Sequence, residues 1–149
     1  MEHHIILRVM AKLLIPMIML YALYVQFHGD FGPGGGFQAG VIFAVGIFLY
    51  SLVFGVQAAQ AVLSLKLIKI VAASGVLLYA GVGVASMLAG GNYLDYGAMD
   101  PDDRPHGEHI GILLVELGVG MTVSAVMVLL FYMFAGSRDF ETEDDPDQG

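Results

Sequence analysis

Apolar residues fall in four long runs along this chain, at 5–27, 37–54, 67–88 and 110–134. None leaves a polar face of the kind a helix on a water-soluble protein presents. About 20 mostly apolar residues are needed to cross ~30 Å of hydrocarbon at ~1.5 Å per residue. All four runs come close to that length, 37–54 being the shortest. The pattern predicts an all-α protein, an integral membrane bundle of four transmembrane helices. A cleaved secretory signal does not account for the first run. It is too long, and Phe27-His28-Gly29-Asp30 makes a poor cleavage site.

Composition supports the same reading. Of 149 residues, 57% are hydrophobic and 13% charged, with a mean hydropathy of +0.75. Soluble domains carry about 25% charged residues. The chain has no cysteine, which excludes disulfides and thiolate metal sites. Five of the six basic residues, Arg8, Lys12, Lys66, Lys69 and Arg138, fall at one end of the predicted bundle, with Arg104 alone at the other. By the positive-inside rule both termini are cytoplasmic. Lys12 lies slightly inside the first span, where its stem snorkels to the surface. Pro16 removes a helical hydrogen bond and predicts a bend. The net charge of −8 belongs mostly to the connections and the tail. Residues 1–136 read as one membrane domain, and 137–149 as an acidic tail, disordered and solvated.

The first connection runs His28-Gly29-Asp30-Phe31-Gly32-Pro33-Gly34-Gly35-Gly36. It does not end in the Gly-Lys-Ser/Thr of a phosphate-binding loop and follows no strand, so it reads as a tight turn on the extracytoplasmic side. Residues 89–109 form a longer acidic connection, expected to be irregular because of Pro101 and Pro105. His106-Gly107-Glu108-His109 within it lacks the helical two-histidine spacing of a metalloprotease, so no metal site is expected. Gly36, Gly40 and Ala44 recur every four residues, as do Gly107 with Gly111, Gly118 with Thr122, and Gly120 with Ser124. Such stripes let helices approach closely in lipid, where the hydrophobic effect drives little association. So small a bundle has little interior, so the chain is expected to pack against other subunits.

Glu116 is the residue that asks for chemistry. It lies among Ile112–Val115 and Leu117–Val119, about 9 Å inside the fourth run at ~1.5 Å per residue. A carboxylate at that depth needs a proton, a partner or water. One reading has it relaying protons or lining a cation path; the other has it pairing across helices to hold the assembly. His28 and Gln38, at the facing ends of spans one and two, are candidates for the same polar cluster, and Lys12 is a weaker candidate for an ion path. No serine, histidine and acid arrangement points to hydrolysis, and nothing points to nucleic acid or a cofactor.

The stretch from His28 to Gly40, with Pro33-Gly34-Gly35-Gly36-Phe37-Gln38-Ala39-Gly40 at its heart, closely resembles the signature of the MnhB/MrpB family, the B subunits of Mrp-type multisubunit cation/proton antiporters. Leu7-Arg8, Leu14-Ile15-Pro16, Tyr93-Leu94-Asp95-Tyr96 and the segment from Gly111 to Gly120 are similar to the same family. Ala39 stands where relatives carry a further glycine. The resemblance implies a multi-pass subunit of a bacterial or archaeal cell membrane and not an enzyme. It implies Na+ and protons as the transported ions, and the other antiporter subunits and the lipid bilayer as partners. Two alternatives stay open here: the equivalent module of a membrane-bound hydrogenase-type complex, and a purely structural scaffold.

Overall fold

In the computed structural model, residues 2–29, 35–99, 102 and 104–141 are described. They form α1 (Glu2–Phe27), α2 (Gly35–Phe54), α3 (Val56–Val62), α4 (Leu65–Leu88), a 3-10 turn at Tyr96–Met99 and α5 (Arg104–Glu141). All regular structure among the described residues is helical, as the pattern predicts. With no water to satisfy a backbone in hydrocarbon, a helix is the form that bonds its own N–H and C=O groups. Among the described residues four helices, α1, α2, α4 and α5, are long and apolar enough to cross a membrane.

The ends differ from the sequence expectation in instructive ways. The helix after the acidic connection begins at Arg104, not at 110, and places Pro105 in its first turn. Proline is tolerated there because that N–H has no helical partner to lose. His106 and His109 therefore lie on exposed helix rather than in an irregular loop. The same helix continues to Glu141, and residues 142–149 of the expected tail lie outside the described residues. The short helix α3, with no counterpart in the four apolar runs, follows Gly55, whose φ of 97° ends α2. At seven residues it is far too short to span, and it tucks Ala59 into the core. Ser64 then caps α4, its hydroxyl accepting from the Leu67 N–H at 3.3 Å.

The spans pack in the order α1, α2, α5, α4, each against the next, so α1 and α4 form the two ends of the row. Close approach through small residues sets the seams. On α1 the inward stripe is Ala11, Ala22 and Gln26, and Gly46 of α2 lies against Ile18 and Met19. Between α4 and α5, Gly75 packs on Gly118 and Thr122. The expected stripe of Gly36, Gly40 and Ala44 is buried throughout and faces α5. Below it, away from the 28–36 connection, Ala44, Ile47, Ala59, Ile68, Ala125, Val128 and Tyr132 form the core. Most large apolar side chains on α1 are exposed, Leu20 at 66% and Ile6 at 63% among them, as lipid- or partner-facing residues would be.

Candidate functional site

Helices α2 and α5 run in the same direction, and their register is set by two pairs. The Gly36 Cα lies against the Glu116 backbone, and Gly40 lies against Gly120. The start of α2 is thus level with Glu116, whereas α5 began twelve residues earlier at Arg104, about 18 Å further out at ~1.5 Å per residue. The α1–α2 pair stops short of the α4–α5 pair, and Glu116 sits on the step between them.

Glycine is what makes room for Glu116. A Cβ on Gly29 or Gly35 would run into the Glu116 carboxylate, and one on Gly36 into its backbone, with the carbonyl carbon at 2.8 Å and Cα at 2.9 Å. The carboxylate occupies the space that side chains at 29 and 35 would need, between the last residues of α1 and the first of α2. The first N–H groups of a helix have no partners within it, and its dipole favours negative charge at that end. Gly29, Gly35 and Gly36, which flank the first connection, and the intramembrane acid, some eighty residues further along the sequence, pack together.

The other sequence candidates are placed differently. His28 stacks on Tyr24 with ring centroids 4.1 Å apart, and its Nδ1 lies 3.0 Å from the Tyr24 carbonyl oxygen. Phe37 and Gln38 are exposed on α2, on the side away from its buried Gly35, Gly36, Ala39 and Gly40. Lys12 is exposed on α1. Pro33 and Gly34 of the signature lie outside the described residues.

Sequence reasoning missed Gln26. Its side chain is 7% exposed, and its Nε2 has no hydrogen-bond partner among the described residues. A Cβ on Gly120 would meet its Oε1, so Gln26 lies one turn of α5 below Glu116. It is one of the residues lining a cleft of about 260 Å³, together with Leu23 of α1, Gly40 and Phe43 of α2, Val71 of α4 and Gly120 and Ser124 of α5, and that lining is almost wholly apolar. The signal was available: Gln26 is the only amide in the run 5–27, and it follows Ala22 by one turn on the inward stripe.

Away from the cleft, the connection after α4 is held by tyrosines seated on glycines. A side chain at Gly83 would collide with the Tyr93 ring, and one at Gly111 would meet Tyr96 at 2.6 Å. Leu94 between them adopts a φ of 64°, a turn conformation few side chains accept. Burial, followed by the proximity of the Tyr79 and Tyr93 hydroxyls, raises the pKa of Tyr96 above its ordinary value of 10.0.

Comparison with known proteins places the chain in a family. Over 139 residues, the chain is 28% identical to a protein of Staphylococcus haemolyticus (strain JCSC1435), covering 92% of this chain and 98% of that protein. It is 29% identical over the same coverage to a protein of Staphylococcus aureus (strain Newman). Both carry the name "Putative antiporter subunit mnhB2". Residues 6–129, which take in nearly all of the first span, the second and third, and most of the fourth with Glu116, match the family described as "Domain related to MnhB subunit of Na+/H+ antiporter", and the chain belongs to that family.

Proposed function

We propose that this chain is a membrane subunit of a multisubunit Na+/H+ antiporter, and that Glu116 is its proton-exchanging group. The observation that carries this reading is the seating of the Glu116 carboxylate against Gly29 and Gly35 at the start of α2. A family signature whose glycines are shaped around one intramembrane acid is a signature built to present that acid. The helix end steadies a negative charge there.

The basic residues support the orientation. Arg8 and Lys12 on α1 and Lys66 and Lys69 on α4 stand at the end away from Glu116. With that end cytoplasmic, Glu116 opens to the outer side. The exposed apolar face of α1 is where partner subunits or lipid would pack. Assembly therefore belongs to the role of the subunit alongside any part it takes in the ion path.

Glutamine has nearly the shape of glutamate, so Glu116→Gln preserves the packing against Gly35 and removes the titrating proton. In everted vesicles carrying the whole complex, Na+-induced pH changes should fall by about tenfold or more, the size of effect typical for a positioned proton-transfer group. A native gel should show the assembled complex at its normal level. Wild-type antiport from a normally assembled Glu116→Gln complex would leave the acid a scaffold element and overturn the assignment.

A further inference from the structure

We propose that the groove between α1, α2 and α3 holds an acyl chain of one anionic phospholipid, and that Arg8 and Lys12 hold its phosphate. The site belongs to the leaflet at the basic end of the bundle, away from Glu116, and does not depend on the role given to that acid.

The groove comes from the short helix. α3 packs on α2 and tucks Ala59 into the core, but makes no close seam with α1. A gap of about 230 Å³ is left, lined by Ile15 and Met19 of α1, Ile47 and Tyr50 of α2, and Val62 and Leu63 at the end of α3. Of these six side chains only Tyr50 carries a strong hydrogen-bonding group, so the gap does not attract water. Left empty, its walls would forfeit their contacts. The volume is below the ~300–1,000 Å³ of a pocket that encloses a whole drug-sized ligand, and suits a length of hydrocarbon chain lying in it. Val62 is 67% exposed, so the groove is open on that side.

Charge says which lipid. Residues 8, 12, 15 and 19 are spaced by four, three and four, so Arg8 and Lys12 continue the stripe of Ile15 and Met19 toward the start of α1. Arg8 also reaches the opposite wall. Its guanidinium carbon lies 6.0 Å from the Phe54 ring centroid, and the Phe54 and Tyr50 rings are 4.8 Å apart. Both basic side chains are exposed, and among the described residues neither has an acidic partner. The described acidic side chains, Asp95, Asp102, Glu108 and Glu116, belong to the other end of the bundle. One helical turn separates the two cations, about 6 Å at ~1.5 Å per residue, a distance one phosphate can bridge. A partner helix in the groove would have to bring its own acid to the same spot. A phospholipid carries anion and chain already joined, with the chain on the deeper side.

The test is photolabelling of the purified, assembled complex in detergent. The probes are phosphatidylglycerol and phosphatidylethanolamine, each with a diazirine on one acyl chain, and the labelled peptides are mapped by mass spectrometry. The phosphatidylglycerol probe should label the groove, at residues 15–19 and at Val62, and unlabelled phosphatidylglycerol should compete with it. The phosphatidylethanolamine probe should label the groove about fivefold more weakly. Arg8→Gln with Lys12→Gln, or Lys12→Gln alone if the pair does not assemble, should weaken phosphatidylglycerol binding by about fivefold for each charge removed. Val62→Phe fills the open side of the groove from an exposed position, and should remove most groove labelling with both charges intact. Labelling elsewhere on the complex, which reports bulk lipid, should not change. Equal labelling by the two probes, or groove labelling insensitive to the basic residues, reduces the site to bulk lipid and overturns the proposal. So does the absence of groove labelling, the result that a partner helix seated there would give.

Discussion

The register between α2 and α5 makes a sharp prediction about two glycines. Gly81 lies in the interior of α4 and Gly36 in the first turn of α2, and by helix propensity alone an alanine should be favourable by about 0.5–1 kcal/mol at the interior position and by no more than that at the other. At Gly81 nothing lies within 4 Å of the position a Cβ would take, so that small gain should be realised. At Gly36 the added carbon would sit 2.8 Å from the Glu116 carbonyl carbon and 2.9 Å from its Cα, with the carbonyl oxygen nearer still. Ordinary van der Waals contact begins at 3.4 Å. The obstacle is backbone on a rigid helix, so no side chain can swing aside, and α2 and α5 must separate by more than half an ångström along their length. Overpacking of this kind costs about 1–3 kcal/mol, which outweighs the propensity gain. For a domain of this size, ~2–4 °C per kcal/mol converts the net effect to a fall of several degrees in melting temperature. The assay is the fraction of detergent-solubilised complex that survives heating, followed by size-exclusion chromatography. Gly36→Ala should melt below the unaltered complex and Gly81→Ala at or slightly above it. Equal stability of the two variants would refute the register.

Further outcomes follow from other contacts. Gly35→Ala should push the Glu116 carboxylate from its seat, so antiport should drop with Na+ as the driving ion, and the pH profile of the residual activity should move; an unchanged profile would separate the glycine from the acid. Ser64→Ala removes the cap on α4 and should destabilise by about 1 kcal/mol in the same heating assay, with Ser64→Asp restoring most of it. For Tyr96 the sign is set by its raised pKa. The neutral phenol is favoured in the folded chain, so its contribution to stability is whole below pH 10 and is lost as pH rises through the higher folded-state value. Ultraviolet titration of tyrosinate should show a late-titrating fraction that is smaller by one group in Tyr96→Phe.

The four spans were legible because hydrocarbon imposes a length and an apolar composition on any helix that crosses it, and the runs ending at Phe27, Phe54 and Leu88 satisfy both. The stripe of Gly36, Gly40 and Ala44 was legible for a related reason: in lipid, small residues at helical spacing are the plainest mark of a contact. The start of α5 was less so, because Pro105 reads as a breaker unless the helix is known to begin one residue before it. The pairing of Glu116 with the glycine connection depends on which helix neighbours which. That order, α1–α2–α5–α4, is a tertiary fact with no local signal. Gln26 was hidden by position: at the end of an apolar run an amide looks like an interfacial residue, and only the rotation of α1 turns it inward.

The apolar stretch between Ser124 and Tyr132 has an electrical consequence. A membrane voltage drops mainly across material that cannot polarise, and here that material is the layer of Ala44, Ile47, Ala125 and Val128, about 12 Å deep over eight residues at ~1.5 Å each. Moving one unit charge through the full voltage involves about 2.3 kcal/mol per 100 mV. Glu116 stands on the far side of that apolar layer from Arg8 and Lys69, so if it exchanges protons as proposed, it would do so with the compartment at the step, and the membrane voltage would fall mainly across the seam below it.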